Sequence, residues 1–253
     1  MKQQMEVHHH PHAAKGFKGY FLEFLMIFLA VTLGFFAEGF REHLIDKKKE
    51  REFIGSLKED LVTDSASLRD MIPAGHIQFE KLDSLYTLLQ LTGEGKPVDM
   101  HRLYYLNFMH SFGLLYFEPN KRTISQIKST GAFALIRNKA CKDSITVYDL
   151  FNEIIKANAD DYKDWLVDLN TMSQKIFSYD RIKTFGFFGS ADVFLNDSLT
   201  LKLVNSDKLL LSEYANKVRS VMMILDILLL TEQKQFMSCK NLISLLNKEY
   251  HLK

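Results

Sequence analysis

Phe21–Ala37 reads FLEFLMIFLAVTLGFFA, a run of seventeen residues whose one charge is Glu23. No other feature restricts the fold of the chain as much, because a helix over this run is apolar on every face and must be covered by lipid or by protein. At about 1.5 Å per residue such a helix reaches about 26 Å, against a bilayer core of about 30 Å. Phe17 and Tyr20 extend it by a turn, and thinning of the bilayer absorbs the remaining mismatch. A secretory signal has a shorter apolar core, about 7–15 residues, and a small-residue cleavage site; here the core is longer, contains Glu23, and offers only a poor match, AEG at Ala37–Gly39. The run is therefore expected to be a transmembrane anchor over residues 20–37, formed by Phe21, Leu22, Phe24, Leu25, Met26, Ile27, Phe28, Leu29, Val31, Leu33, Phe35 and Phe36.

Three basic residues precede the span, Lys2, Lys15 and Lys18, and five follow it: Arg41, Lys47, Lys48, Lys49 and Arg51. The excess of positive charge on the C-terminal side leans toward a cytoplasmic position for the rest of the chain, in a single-pass protein of the inner (cytoplasmic) membrane. The lysines nearest the span lie on its N-terminal side, which leaves an exported body as the alternative. Glu23 sits in the first turn, where its carboxylate reaches the headgroup region and meets the positive end of the helix dipole. Glu23, Ala30 and Gly34 are also the candidate helix–helix contacts, since Ala30 and Gly34 form a small-xxx-small pair through which two anchors, or an anchor and a partner helix, can approach, with Glu23 as the polar contact between them. Ahead of the span lies a tail, residues 1–19, in which His8, His9, His10 and His12 are candidate metal ligands; a solvated, non-ligating tail is the plainer reading of the same residues.

Beyond the anchor, helical spacing dominates. Phe53, Leu57, Leu61, Leu68 and Ile72 predict an amphipathic stalk over 38–72, with the charged segment DKKKERE (Asp46–Glu52) solvated. Pro73 marks its expected end, and residues 73–253 are assigned to a helical bundle domain. Ile77, Leu82, Leu85, Tyr86 and Leu89 indicate a second helix closed by the loop TGEGKP, and helix is expected again from Asp99 across VDMHRLYYLNFMHSFGLLYF. A short helix from about Arg122 to Gly131, a long one from the Asn138 cap to about Tyr179, and a last one from a Ser206 cap nearly to the C-terminus complete the reading. Val221–Leu230 holds Asp226, is too short to span a bilayer, and is placed innermost in the bundle. With four prolines in 253 residues, the expected class is all-α, an N-terminal transmembrane helix followed by an antiparallel bundle of long helices.

The segments HHHPH, FKGYFLEFLMIFLAVTLGFFAEGFREH and FEPNKRTISQIKSTGAFALIRNK together resemble a family of uncharacterised membrane-anchored proteins from Bacteroidota. The resemblance implies a single-pass protein with a helical C-terminal body and carries no activity, ligand or catalytic residue to any position. Gly19 and Gly39 stand where the family pattern has polar or charged residues.

Function is less constrained. Lys plus Arg number 32 and Asp plus Glu 31, so there is no overall field to attract nucleic acid. Cys141 and Cys239 stand in no metal-ligand or CxxC spacing, His101 and His110 are nine residues apart rather than one helical turn, and neither a nucleophile elbow nor a phosphate-binding loop occurs. No cofactor is expected. Ser125, Lys128, Ser129 and Arg137 are the polar groups on which a ligand or partner contact is sought, although a capped helix-turn-helix corner accounts for the same residues. Phe185, Phe187 and Phe188, in TFGFFGSADVF, are the candidate apolar contact. The leading expectation is a membrane-anchored interaction or sensing protein that meets the lipid bilayer and a protein partner, with homo-oligomers open. An accessory or structural subunit of a membrane complex, and an enzyme with a helical-bundle site announced by no motif, are the alternatives.

Overall fold

A computed structural model of the chain describes residues 16–111, 113, 115–181 and 200–252. Five α-helices are found among them: α1 (Phe17–Gly93), α2 (Met100–His110), α3 (Arg122–Ser129), α4 (Lys139–Ser173) and α5 (Lys208–Tyr250), with short 3-10 turns at Ala132–Leu135 and Tyr179–Arg181. The described residues contain no strand. Two compact units are distinguished, one ending at Arg51 and the other beginning at Glu52.

In the first unit the apolar side chains of α1 lie open. An 18-residue window of the helix has a mean hydropathy of 2.1, and none of that window is buried. Phe24, Ile27, Phe28, Leu33, Phe35 and Phe36 are all exposed, as are Ala30 and Gly34.

The second unit holds the core. Its stripe begins at Ile54, Leu57, Leu61 and Leu68, passes to Leu82, Leu85 and Leu89, and all seven are buried. The break expected at Pro73 is therefore absent, and what the spacing divides into a stalk and a second helix is one helix. Interior proline costs about 3 kcal/mol of helix stability; burial of leucines on both sides of it, each worth about 1.5–3 kcal/mol, outweighs that. Two residues on, Gly75 lets α5 approach closely, since a Cβ there would overlap the buried side chain of Leu229.

Cross-helix pairs fix the directions. Arg219 meets Asp83 and Gln233 meets His76, so α5 runs antiparallel to α1. Lys217 pairs with Asp168, Asn158 with Thr231 and Asn138 with Glu249, which sets α5 antiparallel to α4 as well. The chain from α2 to α3 comes back along α1, with Gln78 at His110, Asp64 at Asn120 and Asp60 at Thr123. Successive legs of the bundle are thus antiparallel, and the second leg is broken: between His110 and Arg122 the described residues are not helical. Helix across 99–117 is accordingly too long an expectation. The first half forms from the Asp99 cap, whose carboxylate accepts from the Arg102 N–H at 3.1 Å, and Gly113 and Pro119 interrupt what would follow.

The other caps follow the sequence closely. Gly131 at φ 69° closes α3, the left-handed conformation that glycine adopts without a Cβ penalty, and Asn138 accepts from the Cys141 N–H at 3.0 Å to open α4. The cap of α5 is Asp207, which accepts from the Leu210 N–H at 3.0 Å, and not Ser206; a carboxylate there also meets the positive end of the dipole. Val221, Met222, Leu225, Leu228 and Leu229 are buried, but Met223, Ile227 and Leu230 are exposed, so the apolar centre of α5 is a two-sided helix and not the innermost one.

Candidate functional site

A chain that leaves helical geometry inside a bundle strands its backbone N–H groups away from both water and helix carbonyls, and nearly all such groups find an acceptor. The break in the second leg meets this requirement with three buried carboxylates from two helices. Asp60 and Asp64, one turn apart on α1, and Glu232 on α5 are each no more than 2% exposed. Glu232 accepts from the Phe117 N–H at 2.8 Å. Asp64 accepts from the Asn120 N–H at 3.0 Å and from the Tyr148 hydroxyl on α4. Asp60 accepts from the Thr123 N–H at 3.0 Å, the Asn120 Nδ2 at 2.9 Å and the Arg122 guanidinium at 2.8 Å. Asp60 thereby does for α3 what a capping residue does, although it lies on a different helix. Arg122 is 66% exposed at its side chain, so the charge that balances Asp60 reaches it from the surface.

The electrostatics follow from burial. Desolvation pushes the Glu232 carboxyl up to about 7, opposed by the Phe117 N–H. The Asp64 carboxyl is also raised, first by burial and further by the negative charge of Asp60, while its bonds to Tyr148 and Asn120 pull the other way. Burial likewise raises the Tyr148 phenol, with the Asp64 charge adding to it, and pushes the Cys239 thiol up to about 12. At neutral pH Cys239 is a thiol and Tyr148 a donor, so neither is an activated nucleophile. All three carboxylates accept from donors of the protein itself, and no group of three His, Cys, Asp or Glu that fits a metal ion occurs among the described residues. This cluster is a clamp on the broken leg.

Because the Glu232 carboxyl titrates higher folded than the ordinary 4.5, the folded chain holds this proton more tightly than the unfolded one. The stability so contributed is full below a pH of about 4.5 and is lost as the pH rises through about 7. Glu232→Gln keeps a carbonyl for the Phe117 N–H and removes the charge. It is expected to leave stability unchanged near pH 4 and to raise it by as much as about 3 kcal/mol near pH 8.5, read by chemical unfolding of both proteins at the two pH values. Equal stabilities at the higher pH would show that Glu232 ionises without cost.

A second polar network joins the other end of the bundle. Asn107, fully buried, donates to Ser173 Oγ at 2.9 Å and accepts from the Tyr214 hydroxyl at 2.5 Å. Tyr104 donates to the Lys202 carbonyl at 2.8 Å. His110 pairs through Nδ1 with Gln78 Oε1 at 2.7 Å; burial, helped by the positive charge of Lys81, lowers it to about 4, which keeps it neutral. It packs as a half-buried histidine in contact with Tyr105.

Of the four polar residues at the α3 corner, the structure brings one to a cleft. Lys128 pairs with Asp149 and, with Ile124, Ile127, Phe133, Ile145 and Thr146, lines a space of about 330 Å³. Ser129 donates to the Gln126 carbonyl at 3.2 Å, and Ser125 and Arg137 are exposed away from that lining. His8, His9, His10, His12, Phe185, Phe187 and Phe188 lie outside the described residues. Cys141 and Cys239 are free and buried. The carboxylates of the clamp are the residues that motif reading passes over. Their signal is positional: Asp60 and Asp64 fall on the stripe of Leu57, Leu61 and Leu68, where a charge is not tolerated without partners. No family model, curated protein or solved structure matches the chain.

Proposed function

We propose that the protein is a single-pass, membrane-anchored helical body that works by contact with a partner, as an interaction or sensing protein, and not by catalysis. The observation that carries the reading is the open surface of α1: an 18-residue window with a mean hydropathy of 2.1 has none of its residues buried. A core helix of a soluble protein would have that window covered. Left in water, apolar area costs about 25 cal/mol per Å², and a bilayer removes that cost along the length of residues 20–37. Ala30 and Gly34, open on the same segment, would admit a second helix and favour the accessory-subunit form of this reading. In the second unit the buried polar groups of the clamp and of the Asn107 network are turned inward on the chain itself, so neither set is open to a substrate. The basic residues that follow the span favour a body on the cytoplasmic side.

The test is fractionation of the full chain, with its intact mass measured and a reporter fused after Lys253. A carbonate-resistant membrane pellet holding the uncleaved chain, with signal from a cytoplasm-only reporter, is the expected result. A chain shortened near Ala37–Gly39 would identify a cleaved signal, a soluble intact chain would remove the anchor, and signal from a reporter active only outside the cytoplasm would reverse the sidedness.

A further inference from the structure

Charge is sorted by face along the stretch of α1 that follows the apolar run. Glu38, Glu42, Asp46 and Glu50 recur every four residues, a spacing that keeps them on one side of a helix. At about 100° per residue from Leu44, Phe40, Arg41, Lys47, Lys48 and Arg51 all fall within about 60° of it, whereas the four acids fall about 120° or more away. Lys49 is the one lysine or arginine of residues 38–51 outside this stripe. Over the same residues five basic groups and four acidic ones nearly cancel, so the stripe arises from arrangement and not from net charge. It is also open: Phe40 is 65% and Leu44 51% exposed, and Arg41, Lys47, Lys48 and Arg51 are exposed with them. On the acidic side Asp46 is half-buried and Glu50 is buried. Arg41 reaches across the edge to Glu38 in a pair exposed at both ends, which holds the guanidinium only weakly.

Position and charge together identify the occupant. The stripe begins at Phe40, three residues beyond the apolar run, and helix rises about 1.5 Å per residue. The headgroup layer is about 5–8 Å thick, and charge beyond it is felt over a further Debye length of about 8 Å. Phe40 and Arg41 therefore fall in the headgroup layer, Lys47 and Lys48 lie about one Debye length beyond it, and a tilt of about 20° brings them nearer. Long apolar stems let these side chains carry their charge back toward the phosphates. Apolar groups ringed by cations at this depth match a lipid with apolar chains and a negative head. We infer that Phe40, Arg41, Leu44, Lys47, Lys48 and Arg51 form a docking stripe for the headgroups of anionic phospholipids in the leaflet that α1 crosses after Ala37. The inference rests on the anchor proposed above and adds the class of lipid that the anchor selects.

Phe36→Trp tests it in the full chain, because the indole enters the last turn of the span while the native Trp165 lies in the second unit and gives a constant background. In phosphatidylcholine vesicles that indole is quenched by neighbouring lipids brominated on their acyl chains. Brominating either phosphatidylglycerol or phosphatidylcholine, at equal mole fractions, reads which lipid stands next to the anchor. The expected result is a preference of at least about threefold for phosphatidylglycerol at about 0.15 M salt, lost at about 1 M salt, where the Debye length falls to about 3 Å. Glu42→Lys, Asp46→Lys, Lys47→Asp and Lys48→Glu together exchange charge between the two sides at constant net charge, and should abolish the preference. Strong quenching that is equal for the two lipids overturns the stripe and leaves the anchor standing. Full preference in the exchanged chain also overturns it, because net charge would then suffice. An indole that neither lipid quenches removes the anchor, and the stripe with it.

Discussion

Asp60→Ala is expected to destabilise the second unit by about 3–5 kcal/mol, a large part of the stability of an ordinary domain. The size follows from what is left behind. Thr123 is 1% exposed and its N–H loses its carboxylate acceptor; the Asn120 side-chain amide loses its partner in the same step. An unsatisfied buried donor costs about 1–3 kcal/mol, and alanine has no atom to replace either oxygen. Arg122, already exposed, turns to water and recovers most of what it loses. Asp60→Asn keeps one acceptor and should cost about 1–2 kcal/mol. Asp70→Ala, which removes an exposed pair with Arg69, should leave stability nearly unchanged. Urea unfolding of the three variants, followed through the fluorescence of Trp165, gives the ordering. An Asp60→Ala cost below about 1 kcal/mol would mean that the broken leg finds its acceptors elsewhere.

The ordering also separates what was legible in the sequence from what was not. Apolar spacing located the long helices because the same leucines that set the period, Leu57, Leu61, Leu68, Leu82 and Leu85, are the ones that the core buries. The start near Asp99, the cap at Asn138 and the stop at Gly131 were legible for a local reason: each is set by backbone within three residues of itself. Pro73 misleads because its cost is local while the burial that overrides it comes from α5, far along the chain. The break after His110 is hidden for the converse reason. Apart from Gly113, helix-compatible residues run on to Phe117, and the acceptors that make the break tolerable lie on α1 and α5.

The same distinction applies to the site. Ser125, Lys128, Ser129 and Arg137 attract attention as a polar cluster, yet their neighbourhood is the exposed rim of the α3 corner. The groups that hold that corner in place are charged residues set among leucines, Asp60 and Asp64. Sequence spacing shows that they are out of place on an apolar face; only the fold shows that Asn120, Thr123 and Tyr148 come to meet them. The segment from Phe117 to Thr123 is thus fixed by contacts to α1 and α5, and through Lys121 to Glu153 on α4, which makes it a structural joint.

Leu25→Arg combined with Leu29→Arg should abolish retention in the membrane while leaving the second unit folded. Arginine near the middle of a transmembrane helix costs about 2.5–3.5 kcal/mol on insertion scales, so the pair, one turn apart on a face where snorkelling to the same side is crowded, removes about 5–7 kcal/mol from insertion. At about 1.4 kcal/mol for each factor of ten, that shifts partitioning by about four orders of magnitude. The matched control is Leu25→Val with Leu29→Val, which keeps the run apolar and should stay in the carbonate-resistant pellet. The unfolding transition carries the second half of the argument. Residues from Glu52 onward have their own buried core, so the doubly charged chain, recovered from the soluble fraction or in detergent, should unfold at the same urea midpoint as the unsubstituted protein. Retention in the pellet at the unsubstituted level would refute the anchor. A lowered midpoint would refute it differently, since charge in a bilayer-spanning segment has no reason to loosen a core that does not contain it, whereas charge in a segment that packs against that core does.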